Sequence, residues 1–141
     1  MSEKPHIHRL PVRIYYEDTD FSGVVQHVAY LRFFERGRTE FLRACGVHQS
    51  ALFAGAAALA FAVRRISVDY RKAAAMDDLL SVETWVARLG GASIEMGQQI
   101  VRGDEVLVTA DVRVAAVAGG RAQRLPAAIA AKLTGGGLPR A

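Results

Sequence analysis

One stretch of this chain has the period of a long α-helix, and everything else has to be arranged around it. In residues 28–45, Tyr30, Leu31, Phe34, Phe41, Leu42 and Cys45 return at helical spacing. No proline interrupts them, and Gly46 follows directly, where a residue in the left-handed region ends a helix. A helix with an apolar face has to bury it. In a chain of 141 residues, only the remaining strands are available to cover it.

Those strands are read from alternation. Residues 10–16 predict a first strand, with Val12, Ile14 and Tyr16 on one face and Arg13 and Tyr15 on the other. Residues 48–53 suit a short second helix. Residues 59–70 alternate in two phases, Phe61 and Val63 in one and Ile66, Val68 and Tyr70 in the other. The switch near Arg64 and Arg65 predicts a β-bulge or a bend. Residues 79–89, 92–102 and 105–117 predict three more strands, with tight hairpin turns at Gly90–Gly91 and Gly103–Asp104. Gly119 and Gly120 end the last of them, and residues 126–133 suit a short terminal helix. Strands joined by hairpins are antiparallel. The expected architecture is α+β: one long central helix wrapped by a curved antiparallel sheet of about five strands. Residues 1–141 form a single domain in this reading, with 1–9 and 134–141 expected to be flexible.

Composition narrows the setting. Hydrophobic residues make up 51% of the chain, enough for a core. No apolar run approaches a membrane span, and the N-terminus carries charge where a signal peptide is apolar. A soluble cytoplasmic protein without a transmembrane segment is expected. The single cysteine, Cys45, cannot form an internal disulfide, which agrees with a reducing compartment. A net charge of +4 and a pI near 9.6 favour anionic partners without choosing among them.

The chemistry-bearing residues gather just before the helix, in Y-Y-E-D-T-D-F-S-G-V-V-Q-H at 15–27. The turn lies at the helix N-terminus, where backbone N–H groups lack acceptors and the dipole is positive. For Glu17 and Asp18 the preferred reading is structural, as acids that cap the helix. Asp20 sits among Phe21, Val24 and Val25, with Gly23 permitting a tight backbone. A carboxylate held there has the surroundings of a base or nucleophile, although pattern alone weighs toward a structural role. His27 is either a helix-start residue bonded to nearby backbone or a general base or orienting group. Ser22 lies in F-S-G rather than G-x-S-x-G, so it does not read as a nucleophile. Cys45 lies at the far end of the helix and reads as core. His6 and His8 lack further ligands nearby, and no metal-ligand spacing or phosphate-binding glycine loop occurs. Glu35, Arg36, Arg38 and Glu40 read as a solvated stripe of the helix. Arg64, Arg65, Arg71 and Lys72 form a basic group that is either a solvated sheet edge or a phosphate-binding patch.

The motif Y-Y-E-D-T-D-x-x-G-V-V-x-H-x-x-Y-L-x-F-x-E-x-x-R-T-E, from Tyr15 to Glu40, resembles the hot-dog-fold acyl-CoA thioesterases of the 4-hydroxybenzoyl-CoA thioesterase type. It is most similar to the YbgC branch associated with the Tol-Pal system. F-A-V-R-R-I-S-V-D-Y at 61–70 and M-D-D-L-L at 76–80 extend the resemblance. It implies hydrolysis of an acyl-CoA, or of an acyl carrier protein thioester, in a homodimer or homotetramer whose active sites lie between subunits. Coenzyme A is then part of the substrate and no separate cofactor or metal is implied; neither is a nucleic-acid partner. The resemblance places the catalytic aspartate on Asp20 and the accompanying tyrosine and histidine on Tyr16 and His27. Backbone N–H groups near His27 and Val28 would polarise the carbonyl, and Arg64, Arg65, Arg71 and Lys72 would meet the CoA phosphates. Gln26 departs from the tyrosine frequent in that branch, which bears on the acyl pocket. A hot-dog dehydratase using an Asp–His pair, and a non-catalytic acyl-carrier or Tol-Pal-associated binding protein, are the competing readings.

Overall fold

A computed structural model describes residues 6–136, so residues 1–5 and 137–141 of the expected flexible ends lie outside the described residues. The first strand, β1, spans His8–Arg13, two residues earlier than alternation suggests. His8 and Arg9 therefore belong to the sheet rather than to a loose end. They pair with Thr84 and Glu83, and the Arg9 guanidinium also bonds the Glu83 carboxylate at 3.0 Å. The strand also ends earlier, at Arg13. Val12 and Ile14 are buried as expected, but Tyr16 is 78% exposed, because the chain leaves the sheet and enters a single 3-10 turn at Tyr16–Asp18.

The long helix, α1, spans His27–Ala44. It buries Tyr30, Phe33, Phe34, Gly37 and Phe41, a continuous face at i, i+3, i+4, i+7 and i+11. Phe33 takes the inward place that periodicity assigned to Leu31, which is 38% exposed. The helix stops where expected. Gly46 takes φ +84°, its N–H bonds Arg43 O at 3.0 Å, and Val47 N–H bonds Leu42 O at 2.8 Å. That is a Schellman motif, with Val47 and Leu42 both buried as its apolar contact.

After α2 (Gln49–Ala54) come four long strands: β2 (Ala60–Tyr70), β3 (Leu79–Leu89), β4 (Ser93–Arg102) and β5 (Glu105–Ala118). A two-residue β6 (Arg121–Ala122) pairs with β5, and α3 (Ala127–Ala131) leads into a π-helical turn, Lys132–Gly136. The sheet order is β1-β3-β4-β5-β2, antiparallel throughout. The register of β2 on β5 shifts between Val63 and Arg65, the bulge predicted from the change of phase. Further shifts in β3 on β4 and in β4 on β5 add to the bending of the sheet. This is the expected α+β hot-dog arrangement, five long strands around one helix.

The inner face of the sheet and the inner face of α1 form one core. Helix and sheet meet closely at Gly37, where a Cβ would stand 2.7 Å from Val82 Cγ1 and 2.9 Å from Thr84 Oγ1. Next to it the buried Gln98 amide donates to Phe34 O and to Thr84 Oγ1, each at 2.9 Å, and accepts from Arg38 at 3.0 Å. Arg38 thus turns inward, out of the solvated stripe assigned to it, and burial lowers its pKa. No helix among the described residues is long and apolar enough to cross a membrane.

Candidate active site

The acidic turn is built by hydrogen bonds that close it on itself. Asp18 is only 8% exposed; its carboxylate accepts Tyr15 N–H at 2.9 Å and its carbonyl accepts Gln26 N–H at 3.1 Å. It therefore ties the start of the turn to the residue that opens α1. Thr19 bridges Val25, Val24 bridges Ala75, and Val25 N–H bonds Ala74 O at 2.9 Å. Inside that frame, Asp20 N–H bonds Val24 O and Gly23 N–H bonds Asp20 O, both at 3.0 Å, with Gly23 at φ +86°. The expectation that Glu17 and Asp18 cap α1 is corrected. The capping position is Gln26, whose side chain makes no cap bond, because Asp18 is committed to Tyr15 and Glu17 faces solvent.

Asp20 is exposed at the tip of the turn. Its Oδ1 accepts both Ser22 N–H at 2.8 Å and the Ser22 hydroxyl at 2.5 Å, while Oδ2 has no partner among the described residues. The Ser22 hydroxyl, and after it the Ser22 N–H, hold the Asp20 carboxyl below its ordinary range. The group is an anion at neutral pH.

The first turn of α1 faces the same space. Ala29 N–H bonds Gln26 O at 3.0 Å, but the His27 and Val28 N–H groups have no acceptor among the described residues. The His27 ring stacks on Tyr70, with centroids 4.1 Å apart and planes at 14°. Tyr30 lies behind them; its hydroxyl accepts Ala74 N–H at 2.8 Å, and burial raises its pKa.

A cleft of about 510 Å³ brings together Asp20, His27, Val28, Arg71 and Lys72. Val24, Val25, Gln26, Tyr30, Tyr70 and Ala73 complete its walls. Two of its cations are partly neutralised: Arg71 bonds Asp69 at 3.1 Å, and Lys72 bonds Glu105 at 2.5 Å. Tyr16, Arg64 and Arg65 do not line it. The four basic residues read as one group therefore divide. Arg64 and Arg65 line a second cleft of about 360 Å³ with Arg113. There Arg65 faces Arg113 across the strands, and Glu95 bonds both Arg113 at 2.6 Å and Arg88 at 3.3 Å.

Two residues of the site escape sequence reasoning. Tyr70 reads only as the end of a strand, and no local signal places it on His27. Ser22 reads as a failed nucleophile rather than as the partner of Asp20, although D-x-S is a short-range pattern for such a bond. Cys45 is core, and burial pushes its thiol up to about 12. No three His, Cys, Asp or Glu side chains among the described residues are grouped to hold a metal ion.

The family model of the thioesterase superfamily matches residues 22–109. The acyl-CoA thioesterase YbgC of Haemophilus influenzae is 50% identical over 107 residues, 76% of this chain and 78% of that protein. The acyl-CoA thioester hydrolase YbgC of Escherichia coli O6:H1 is 44% identical over 110 residues, 77% of this chain and 81% of that protein. The crystal structure of a probable thioesterase from Bartonella henselae matches with a TM-score of 0.82 at 44% identity, covering 86% of this chain and 100% of that one.

Proposed function

Since the chain belongs to the thioesterase superfamily, we propose that it hydrolyses acyl-CoA to a free acid and the coenzyme A thiol. The observation that carries this reading is one cleft lined both by a carboxylate, Asp20, and by His27 and Val28, whose N–H groups have no acceptor among the described residues. Hydrolysis of a thioester needs both: a group that delivers an oxygen to the carbonyl carbon, and donors for the negative charge that builds on the carbonyl oxygen. Asp20 either attacks the carbon itself or takes the proton of an attacking water. The N–H donors stabilise the oxyanion, each worth roughly 10²–10³-fold in rate. When the intermediate collapses, the C–S bond breaks and the thiolate leaves without needing a strong acid; where Asp20 itself attacks, water then hydrolyses the resulting acyl–aspartyl anhydride to release the acid and restore the carboxylate. Coenzyme A is part of the substrate, and these steps require no other cofactor. An acyl carrier protein carrying the same thioester is the alternative donor.

The CoA phosphates are assigned to the cations. Arg71 and Lys72 stand on the rim of the reaction cleft. Arg64 and Arg65 serve the same substrate only where a second copy brings it to their cleft. Tyr16, exposed beside the turn, likewise acts through the surface that a second copy covers. The dehydratase reading has less geometric support. No hydrogen bond joins Asp20 to His27, whose ring is engaged by Tyr70.

Asp20→Asn tests the reading. It keeps the side-chain shape and removes the charge. Expected is a fall in kcat of roughly 10²-fold or more, with KM little changed, in an assay of free thiol release from a panel of acyl-CoAs and an acylated carrier protein. Asp18→Asn is the control, since an amide oxygen still accepts Tyr15 N–H. Wild-type turnover by Asp20→Asn would transfer the weight to the binding-protein or dehydratase readings.

A further inference from the structure

We propose that Ser22 is a positioning residue for the reaction, its hydroxyl locking one oxygen of Asp20 so that the other is presented to the thioester. The inference rests on the reading of Asp20 as the reacting carboxylate. Its basis is the asymmetry of that carboxylate. Oδ1 accepts two donors from one residue, the Ser22 N–H at 2.8 Å and the Ser22 hydroxyl, and Oδ2 accepts none among the described residues.

The turn itself restricts the backbone of Asp20, since its N–H and its carbonyl both bond within residues 20–24. It also reaches the side chain, through the Ser22 N–H on Oδ1 at 2.8 Å, and the Ser22 hydroxyl adds a second donor to the same oxygen. An exposed aspartate on a turn rotates among staggered positions unless something holds it. Phe21 offers nothing, because its side chain projects wholly into solvent, at 106% of its reference exposure. Among the described residues, Ser22 is the only side chain bonded to the carboxylate. Two converging donors on one oxygen fix both the torsion of the group and which oxygen is free. Asp20 shares the cleft with His27 and Val28, so orientation of its carboxylate sets the approach to a carbonyl held by their N–H groups.

Ser22 does not itself line the cleft. Any influence on turnover must pass through Asp20, and its signature is separable from substrate binding. The hydroxyl also favours the anion, and removing it lets the Asp20 pKa rise. The other titratable groups on the cleft are His27 and Tyr30 on α1, Tyr70 at the end of β2, and Arg71 and Lys72 beyond it. None of them contacts Ser22 by a hydrogen bond.

The test compares wild type, Ser22→Ala, Ser22→Gly, Ser22→Thr and Asp20→Asn in the full chain. Readouts are kcat, KM and the pH profile of kcat/KM, with the Asp20 carboxyl titrated by 13C NMR. Expected for Ser22→Ala and Ser22→Gly are a fall in kcat of about tenfold, the scale of a lost hydrogen bond to a charged group, and unchanged KM. The acid limb of kcat/KM and the carboxyl titration should both move to higher pH, and Ser22→Thr should restore all three. Wild-type kcat and an unmoved limb in both truncations, with Asp20→Asn inactive, overturn the role of Ser22. A rise in KM with kcat unchanged overturns it too. Full activity of Asp20→Asn overturns the reading of Asp20 instead, so the two failures are distinguishable.

Discussion

At the scale of single residues, the proposed site divides into groups assigned to the reaction and groups that hold them. His27 belongs to both sets. Its backbone N–H has no acceptor among the described residues, while its ring lies flat on Tyr70. An aromatic pair in this geometry is worth about 0.5–1.5 kcal/mol beyond buried area. Tyr70→Phe keeps the stack and loses only a long hydroxyl contact of 3.5 Å to His27 O, so its kcat/KM should stay near wild type. Tyr70→Ala removes the platform, and kcat/KM should fall by up to about tenfold, the rate equivalent of the pair. Equal activity in Phe and Ala variants, measured on one acyl-CoA, would show that the stack leaves the site unaffected. This pairing also marks the limit of what the sequence reveals. The gathering of Asp20, His27 and Val28 on one cleft was legible because they lie within nine residues of each other at a helix start. Tyr70 lies forty-three positions beyond His27 and reaches it only because β2 folds back beside the start of α1. Local patterns carry no trace of such a meeting.

At the scale of elements, the helix, its stop at Gly46, the hairpins and the bulge at Arg64 were readable, since each depends on neighbours in sequence. The errors fall where pairing across the sheet decides. β1 begins at His8 because β3 offers it partners as far as Thr84, and it ends before Tyr16 because the chain turns away. Arg38 was read as solvated because helical spacing says nothing of Gln98, sixty residues on, whose amide reaches it across the helix–sheet interface. That amide joins three elements through Phe34, Thr84 and Arg38. Gln98→Leu fills similar space but leaves Thr84, Phe34 O and the Arg38 guanidinium without it. A buried polar group left unpaired costs about 1–3 kcal/mol. The urea midpoint should drop accordingly with the m-value unchanged, because the same surface is exposed on unfolding. An unchanged midpoint would mean that other groups or water replace the amide.

At the scale of the whole molecule, a single chain leaves the edges of its sheet open. Among the described residues β1 and β2 each pair on one side only, so the sheet has two open edges, and that of β2 runs for 11 residues. Open edges of that length recruit partners unless they are blunted. Tyr16, Phe21, Val28, Val63 and Tyr70 are large apolar side chains exposed along the cleft, the acidic turn and β2. We propose that this surface is an interface between copies, since exposed apolar patches are favoured contact sites. The cleft itself is open, with Asp20 exposed beside it, whereas an oxyanion gains most from its donors when water is kept out. A second copy set against β2 would cover the edge, the apolar side chains and the mouth of the cleft together, and a two-fold arrangement would supply two such sites. The protein should therefore sediment at no less than twice the 15.3 kDa chain mass at assay concentrations. Val63→Glu, which places a charge on the exposed side of β2 away from the reacting groups, should shift the equilibrium toward monomer. Activity per chain should then rise with protein concentration, following the fraction of dimer, while the circular dichroism of the fold is retained. Full activity in a sedimenting monomer would mean that one chain closes its own cleft, and the exposed face along β2 would need another occupant.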